Sequence, residues 1–350
     1  MNPSQGGRAR TSPLSSILLR HPIYDGIYSR LSPGARIRFG RTCRLAHKSV
    51  QDFHLRTYNI NRHLKRFVDD PIAFRNLQAR LAMLISGSNA LQFLDSTFYP
   101  SSDLDLYVWK EDIKELDDVD EFHHQHYRFT GLHGVYSFAK NGPDGRLTVQ
   151  VIAGTGGPLN TILTFHSTCV MNCIAFDAAY SLYPQATFEE RRSLCMATLT
   201  DTDAAAFTKY SRRGWQLISA VWPHERATNR ASFHVDATRW VADRYSWVVP
   251  LDTSELQPRP RLSPTSDYFA WDPVVYNSWR LEVAEDHAFE MVGGAAIGRS
   301  VCSTVVRYAY LIVDPGLFKT ITTFLKTQGR LEHLKAKRLS WNERKRLWTW

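Results

Sequence analysis

Two aspartates one residue apart, Asp103 and Asp105, are the side chains of this chain best suited to chemistry. They lie in Ser102-Asp103-Leu104-Asp105-Leu106-Tyr107-Val108, whose alternation reads as a strand. Alternate side chains of a strand share a face, so both carboxylates point one way while Leu104 and Leu106 enter the core. Neighbouring carboxylates repel unless a cation sits between them. Their oxygens suit Mg²⁺, whose shell is completed by the phosphates of a bound substrate. Upstream, Leu84-Ile85-Ser86-Gly87-Ser88-Asn89-Ala90-Leu91 reads as an apolar strand, a Gly-Ser turn and the start of a helix. Gly87 and Ser88 would offer backbone N–H groups, and Ser88 its hydroxyl, to phosphate at that helix N-terminus.

The neighbouring elements must hold this pair in place. Asn59 to Val68 reads as a basic amphipathic helix with Ile60, Leu64 and Val68 inward. Asp70-Pro71 is a cap followed by a first-turn proline, so a further helix runs through Leu77 to about residue 81 and delivers the chain to the first strand. After the aspartates, Gly134-Val135-Tyr136-Ser137-Phe138-Ala139, the turn Asn141 to Gly145, and Leu147-Thr148-Val149-Gln150-Val151-Ile152 form a hairpin pattern.

A Gly-Ser turn, a short helix and Asp-x-Asp on the next strand, here Gly87, Ser88, Asp103 and Asp105, resemble the signature of the nucleotidyltransferase superfamily, whose palm is like that of DNA polymerase β. The resemblance implies that Asp103 and Asp105 hold Mg²⁺, that Gly87 and Ser88 hold the phosphates of an NTP, and that a third acid stands on a later strand between apolar neighbours. Val149-Gln150-Val151 has those neighbours with an amide between them. An amide can coordinate or hydrogen-bond but brings no negative charge and accepts no proton from an attacking hydroxyl. This departure implies an impaired or non-catalytic site that still binds nucleotide.

Ile17 to about Phe53 reads as a small helical unit. Ile23 and Ile27 lie four apart with Leu31 following, and Ser32-Pro33 supplies an N-cap and a first-turn proline for the next helix. This order, with Arg41-Thr42-Cys43-Arg44 after it, is similar to the F-box. That resemblance implies a Skp-type adaptor of a cullin–RING ubiquitin ligase bound through Ile23, Ile27, Leu31 and Pro33. A plain three-helix cap is the alternative, since any amphipathic trio buries such a face.

The chain has 350 residues, 43% hydrophobic and 12% aromatic, which suits a globular protein with a large core. No run approaches the ~20 apolar residues of a membrane span. Five cysteines without framework spacing favour reduced thiols in cytosol or nucleus. Cys169 and Cys173, four apart, read as core residues on one helix face. The net charge of +9 suits an acidic partner such as a nucleotide or RNA.

The expected class is α+β: a disordered tail over 1–14, an F-box-like helical segment over 15–56, a nucleotidyltransferase-like mixed sheet over 57–200, a second α/β part over 201–329, and a basic C-terminal helix over 330–350. Lys110 to Glu121 carries seven acidic residues and reads as an exposed helix and loop. His123, His124 and His126 lack a familiar zinc spacing and read as a polar turn. Ile162 to Ala179 is expected to lead into a buried helix, with His166, Ser167 and Asn172 satisfied in the core. Thr187-x-x-Glu190 reads as a capping box opening a helix. Lys209 to Trp215 is a basic aromatic knot, read as a helix end on the core with base stacking as the alternative. Asp236 to Pro250 reads as helix, loop and strand, and 250–273 as a Pro-rich loop. Gly293 to Arg299 reads as a turn, and Asp314-Pro315 caps a helix ending near Gly329.

Three functional readings remain open at this point. The first is a binding protein that joins an adaptor-recruiting segment to an impaired nucleotide site. The second is an active Mg²⁺-dependent nucleotidyltransferase, and the third a basic nucleic-acid-binding module.

Overall fold

The computed structural model describes residues 13–113, 126–127, 132–142, 145–154, 157–196, 201–226, 232–258, 274–283, 291–292, 299–301 and 308–338. The chain divides into two units, Met1–Asn59 and Ile60–Trp350. Helix and sheet are both present, giving the α+β class expected.

The first unit is helical: α1 (Pro13–Leu18), α2 (His21–Tyr28), α3 (Pro33–Gly40) and α4 (Arg44–Thr57). Ser32 caps α3 as its spacing predicts, accepting from the Ala35 N–H at 3.3 Å. Leu18, Tyr24, Tyr28, Ala46, Val50 and Phe53 form its core. Tyr28 meets Phe53 edge-on at 5.5 Å, and its hydroxyl shares a 2.7 Å hydrogen bond with Ser49. The face of α2 that enters the core therefore carries the two tyrosines. Pro13 and Leu14 open α1; the rest of the expected tail lies outside the described residues.

The second unit starts with α5 (Ile60–Leu64), shorter than the amphipathic pattern predicts, then α6 (Pro71–Leu81). Asp70 caps α6 through the Ile72 and Ala73 N–H groups at 2.9 and 3.0 Å. β1 (Leu84–Ser86), α7 (Gly87–Asp95) and β2 (Leu104–Trp109) follow, then β3 (His126–Tyr127) and the long hairpin β4 (Leu132–Gly142) and β5 (Gly145–Gly154). After α8 (Pro158–Leu163) come β6 (Asn172–Ile174), β7 (Ala178–Ser181), β8 (Arg192–Leu194), α9 (Asp201–Arg212), β9 (Gln216–Ile218), β10 (Thr238–Trp240) and β11 (Trp247–Pro250). The described remainder includes β12 (Ser278–Arg280), β13 (Glu282–Val283), β14 (Met291–Val292), β15 (Arg299–Val301), β16 (Tyr310–Ile312) and α10 (Pro315–Lys337).

Among the described residues, eight strands form one mixed sheet in the order β11-β7-β6-β1-β2-β5-β4-β3. β1 is central, antiparallel to both β2 and β6, and β2 runs parallel to β5. Leu84, Tyr107, Ile152, Ile162, Met171, Tyr180, Phe233 and Trp279 belong to one buried core cluster. Arg75, 1% exposed, donates to the Asn61 side chain and to the Phe176 and Asp252 carbonyls, joining α6 to the turn between β6 and β7 and to the chain just beyond β11.

Three local readings are corrected. Ile162 and Leu163 close α8, but the rest of the apolar run to 179 forms no buried helix: it holds a 3-10 turn, Thr168–Val170, then β6 and the start of β7, because a run buried on every side carries no period to separate helix from strand. Cys169 and Cys173 accordingly lie in that turn and in β6, both buried and outside any disulfide. Thr187 falls inside the wide turn Gln185–Glu189, and the chain after Glu190 becomes β8, with Arg191 left-handed at φ 53°. Residues 238–240 are β10 and not a helix: Arg239, 1% exposed, pairs with Asp243 at 2.5 Å, and Asp243 accepts from the Tyr245 and Ser246 N–H groups in the turn that follows. At the other end of the unit, α10 continues past Gly329 to Lys337. Residues 114–125, carrying most of the acidic run with His123 and His124, lie outside the described residues, as do 259–273 of the Pro-rich loop, 293–298 and 339–350.

Candidate functional site

The β1–α7 corner is built by Gly87. Its φ is +67°, in the left-handed region, and a Cβ there would stand 2.7 Å from Asp105 Oδ2. Glycine adopts that backbone shape without strain, and only glycine lets the turn lie directly against the carboxylate. Pairing of β1 with β2 sets Ser86 opposite Asp105. The Ser88 hydroxyl is 6% exposed and shares a 2.9 Å hydrogen bond with Ser102, so it fastens α7 to the segment entering β2.

Asp103 immediately precedes β2 and Asp105 lies within it, while Leu104, Leu106 and Val108 are buried as the alternation requires. In register, Asp105 neighbours Gln150 on β5, and Gln150 neighbours Ser137 on β4. Registered neighbours share a face. Ser86, Asp105, Gln150 and Ser137 therefore make a polar row across four strands, with Gln150 one strand spacing, about 4.8 Å, from Asp105. The amide thus occupies the β5 position beside the carboxylate pair.

A hydrogen-bonded chain steadies the approach to Asp103. Asn89 donates from Nδ2 to the Asp103 carbonyl at 3.2 Å, and its Oδ1 lies 2.7 Å from His63 Nε2. Burial lowers the His63 pKa, so the ring is neutral and its proton sits on Nε2, donating to the amide oxygen.

The charge balance is unusual. Burial, then repulsion from Asp103, pushes the Asp105 carboxyl up to about 7, and Lys209 opposes the rise. Lys209 comes from α9. Burial and then Arg213 lower its pKa, while Asp105 and Asp103 act to raise it. The aspartates thus face a lysine a hundred residues away in sequence. In the sequence Lys209 stands out only within a basic knot; which carboxylates it approaches is not visible there. Tyr210, the next residue, is buried and ring-stacked on His166 at 5.7 Å, so His166 acts in the core. Asn172 likewise donates to the Cys169 carbonyl at 2.7 Å, while its own carbonyl accepts from Ser86 Oγ at 2.5 Å.

Can these residues hold a divalent cation? A half-buried carboxylate whose proton affinity is raised further by its neighbour Asp103 marks a site short of positive charge, and the bare Gly87 corner leaves Asp105 uncovered by a side chain. Those observations fit a cation. Among the described residues, however, no group of three or more His, Cys, Asp or Glu side chains is arranged as a metal site. Two protein carboxylates then have to be supplemented by the oxygens of a bound ligand, the usual situation of Mg²⁺ beside phosphates.

In the first unit, Ile23 and Ile27 are 42% and 43% exposed, and Leu31 and Pro33 are half-buried. The isoleucines form an outward apolar stripe on α2, beside its buried tyrosines.

No family model matches the sequence, and no curated protein matches it. A solved structure described as "The structure of CCA-adding enzyme apo form I" aligns with 48% of this chain and 44% of its own, at 10% identity and a TM-score of 0.32. The alignment thus spans less than half of that enzyme's length. At that TM-score the likeness carries no weight beside the side-chain geometry.

Proposed function

We propose that this chain binds a nucleoside triphosphate with Mg²⁺ on a nucleotidyltransferase-type scaffold, and that its transfer chemistry is impaired. The observation that carries the reading is the row Gly87–Asp105–Gln150 faced by Lys209. Asp103 and Asp105 would hold the cation. Lys209 would supply positive charge to offset the phosphates, and the Gly87 corner keeps any side chain off Asp105. When bound, Mg²⁺ neutralises phosphate charge and lowers the pKa of a coordinated hydroxyl. Gln150 is the weak point: it neither adds the third negative charge nor takes a proton from an attacking hydroxyl.

The first unit is, on this reading, an adaptor-docking module. Ile23 and Ile27, one helical turn apart and both outward, are suited to the apolar groove of a Skp-type adaptor of a cullin–RING ligase. Ligand recognition by the second unit would then be coupled to ligase recruitment by the first.

The test of the nucleotide site is a thermal melt with Mg²⁺ and each NTP, in wild type and in Asp103→Asn/Asp105→Asn. A rise that needs both metal and nucleotide and disappears in the variant is expected; no rise with any of the four sinks the reading. Transfer of labelled nucleotide to any acceptor would overturn impairment and favour the active enzyme. Copurification with a Skp-type adaptor, lost in Ile23→Glu/Ile27→Glu with the fold retained, tests the first unit.

A further inference from the structure

The segment between α7 and β2, residues 96–103, carries two aromatic rings just ahead of the aspartates. Phe98 is 61% exposed, and the Arg66 guanidinium lies 4.8 Å from its centroid. Arg66 also donates to the Tyr99 carbonyl at 3.2 Å and to that of Pro100, so the arginine both stacks on the segment and holds its backbone. The Tyr99 ring is covered by Arg213 at 3.7 Å. Arg191 completes the cluster: it sits 4.9 Å over Trp215, pairs with Asp95 at 2.8 Å, and acts together with Arg213 on the Tyr99 hydroxyl. Its left-handed backbone, φ 53°, is a strained conformation for a non-glycine residue. Arg213 is one helical turn beyond Lys209, which faces the aspartate pair. A continuous band of guanidinium–aromatic stacks therefore runs from Phe98 to Lys209 and ends at Asp103 and Asp105.

A solvated charged face has no reason to pair each exposed or half-buried ring with an arginine. Such pairs suit a ligand that presents flat π faces and regularly spaced negative charge. We propose that this band binds a single-stranded polynucleotide, with a base stacked on the outer face of Phe98 and phosphates held by Arg66, Arg213 and Lys209. Asp103 is five positions beyond Phe98, at most about 17 Å of chain, so the bound strand ends near the carboxylates. A duplex hides its base faces and lacks this mode of contact. The strand's service as an acceptor rests on the nucleotide-site reading; its binding does not.

Fluorescence anisotropy of the full chain with a labelled oligoadenylate of about a dozen nucleotides, within the usual site sizes, tests this. Neutralising about three phosphates of a single strand gives a log–log salt slope near −2, a loss of roughly 20-fold between about 50 and 200 mM salt. Phe98→Ala should weaken binding by about 5- to 100-fold, the usual effect of removing one base stack. Because Phe98 is exposed, this variant keeps its melting temperature. Arg213→Gln should flatten the salt slope by about 0.7. Asp103→Asn/Asp105→Asn should bind the oligonucleotide at least as tightly, since it removes negative charge. The proposal is overturned by equal affinity for the duplex, by Phe98→Ala within twofold of wild type, or by no binding below about 10⁻⁴ M, the weak end of non-specific binding. Oligonucleotide binding without the Mg²⁺–NTP melt sinks the nucleotide site alone, and the converse sinks this proposal alone.

Discussion

Replacing Asp105 with asparagine should make the metal-free protein more stable at pH 8, and the structure sets how much. The carboxyl titrates near 7 in the fold, against 3.8 for an unburied aspartate. Because the folded pKa is the higher one, the folded state holds the proton more tightly. The stability this brings is complete below about pH 4 and is lost as pH rises toward 7. At about 1.4 kcal/mol per tenfold in proton affinity, the ceiling on that loss is ~4 kcal/mol. Asparagine does not titrate, so its advantage over wild type should be ~2 kcal/mol at pH 5 and ~4 kcal/mol at pH 8. Asp105 is partly exposed, and its screening by water reduces both figures. Urea unfolding of both proteins at the two pH values measures the gap, and groups elsewhere cancel in the difference. Saturating Mg²⁺ at pH 8 should narrow the gap, because only wild type has the full carboxylate pair. Parallel stability–pH curves, with no change in the gap, would refute the half-buried, repelled carboxylate.

Further outcomes come from the same geometry. Gly87→Ala should cost ~1–2 kcal/mol from its left-handed backbone alone, and the new Cβ should turn the Asp105 carboxylate aside; urea melts read the first effect and loss of the Mg²⁺–NTP shift the second. Gln150→Glu should lower the metal-free melting temperature at pH 8 by adding a third negative charge beside Asp105, and should enlarge the rise on adding Mg²⁺ beyond that of wild type. Arg239→Ala should destabilise by about 3–5 kcal/mol, because Asp243 would keep a largely buried charge without its partner; chemical denaturation measures it.

The site is legible in the sequence where short-range chemistry sets the backbone. Ser32-Pro33 and Asp70-Pro71 announce caps because a side-chain oxygen and a missing N–H act within three residues. The hairpin carrying Gln150 comes from alternation and a turn, and the row it joins comes from strand register. Lys209 is illegible as a site residue, since nothing local to α9 says which carboxylates it will face. The stretch from Ile162 to Ala179 misleads for the opposite reason: burial on all sides erases the periodicity that separates helix from strand. Of the two faces of α2, the isoleucine spacing is plain, yet Tyr24 and Tyr28 take the core. Their larger rings bury more apolar area and reach Phe53 and Ser49.

The place of β11 at the end of the sheet has a consequence for synthesis. β7 ends at Ser181, but the strand that pairs with it begins at Trp247, and Arg75 reaches the Asp252 carbonyl just beyond. At ~5–20 residues per second, a ribosome needs roughly 3–13 seconds to add the intervening chain. Throughout that interval β7 presents an unpaired edge in a nascent protein whose Asp105 and Gln150 strands have already been made. A fragment ending near residue 200 would keep that edge permanently, and should be recovered as aggregate where the full chain is soluble.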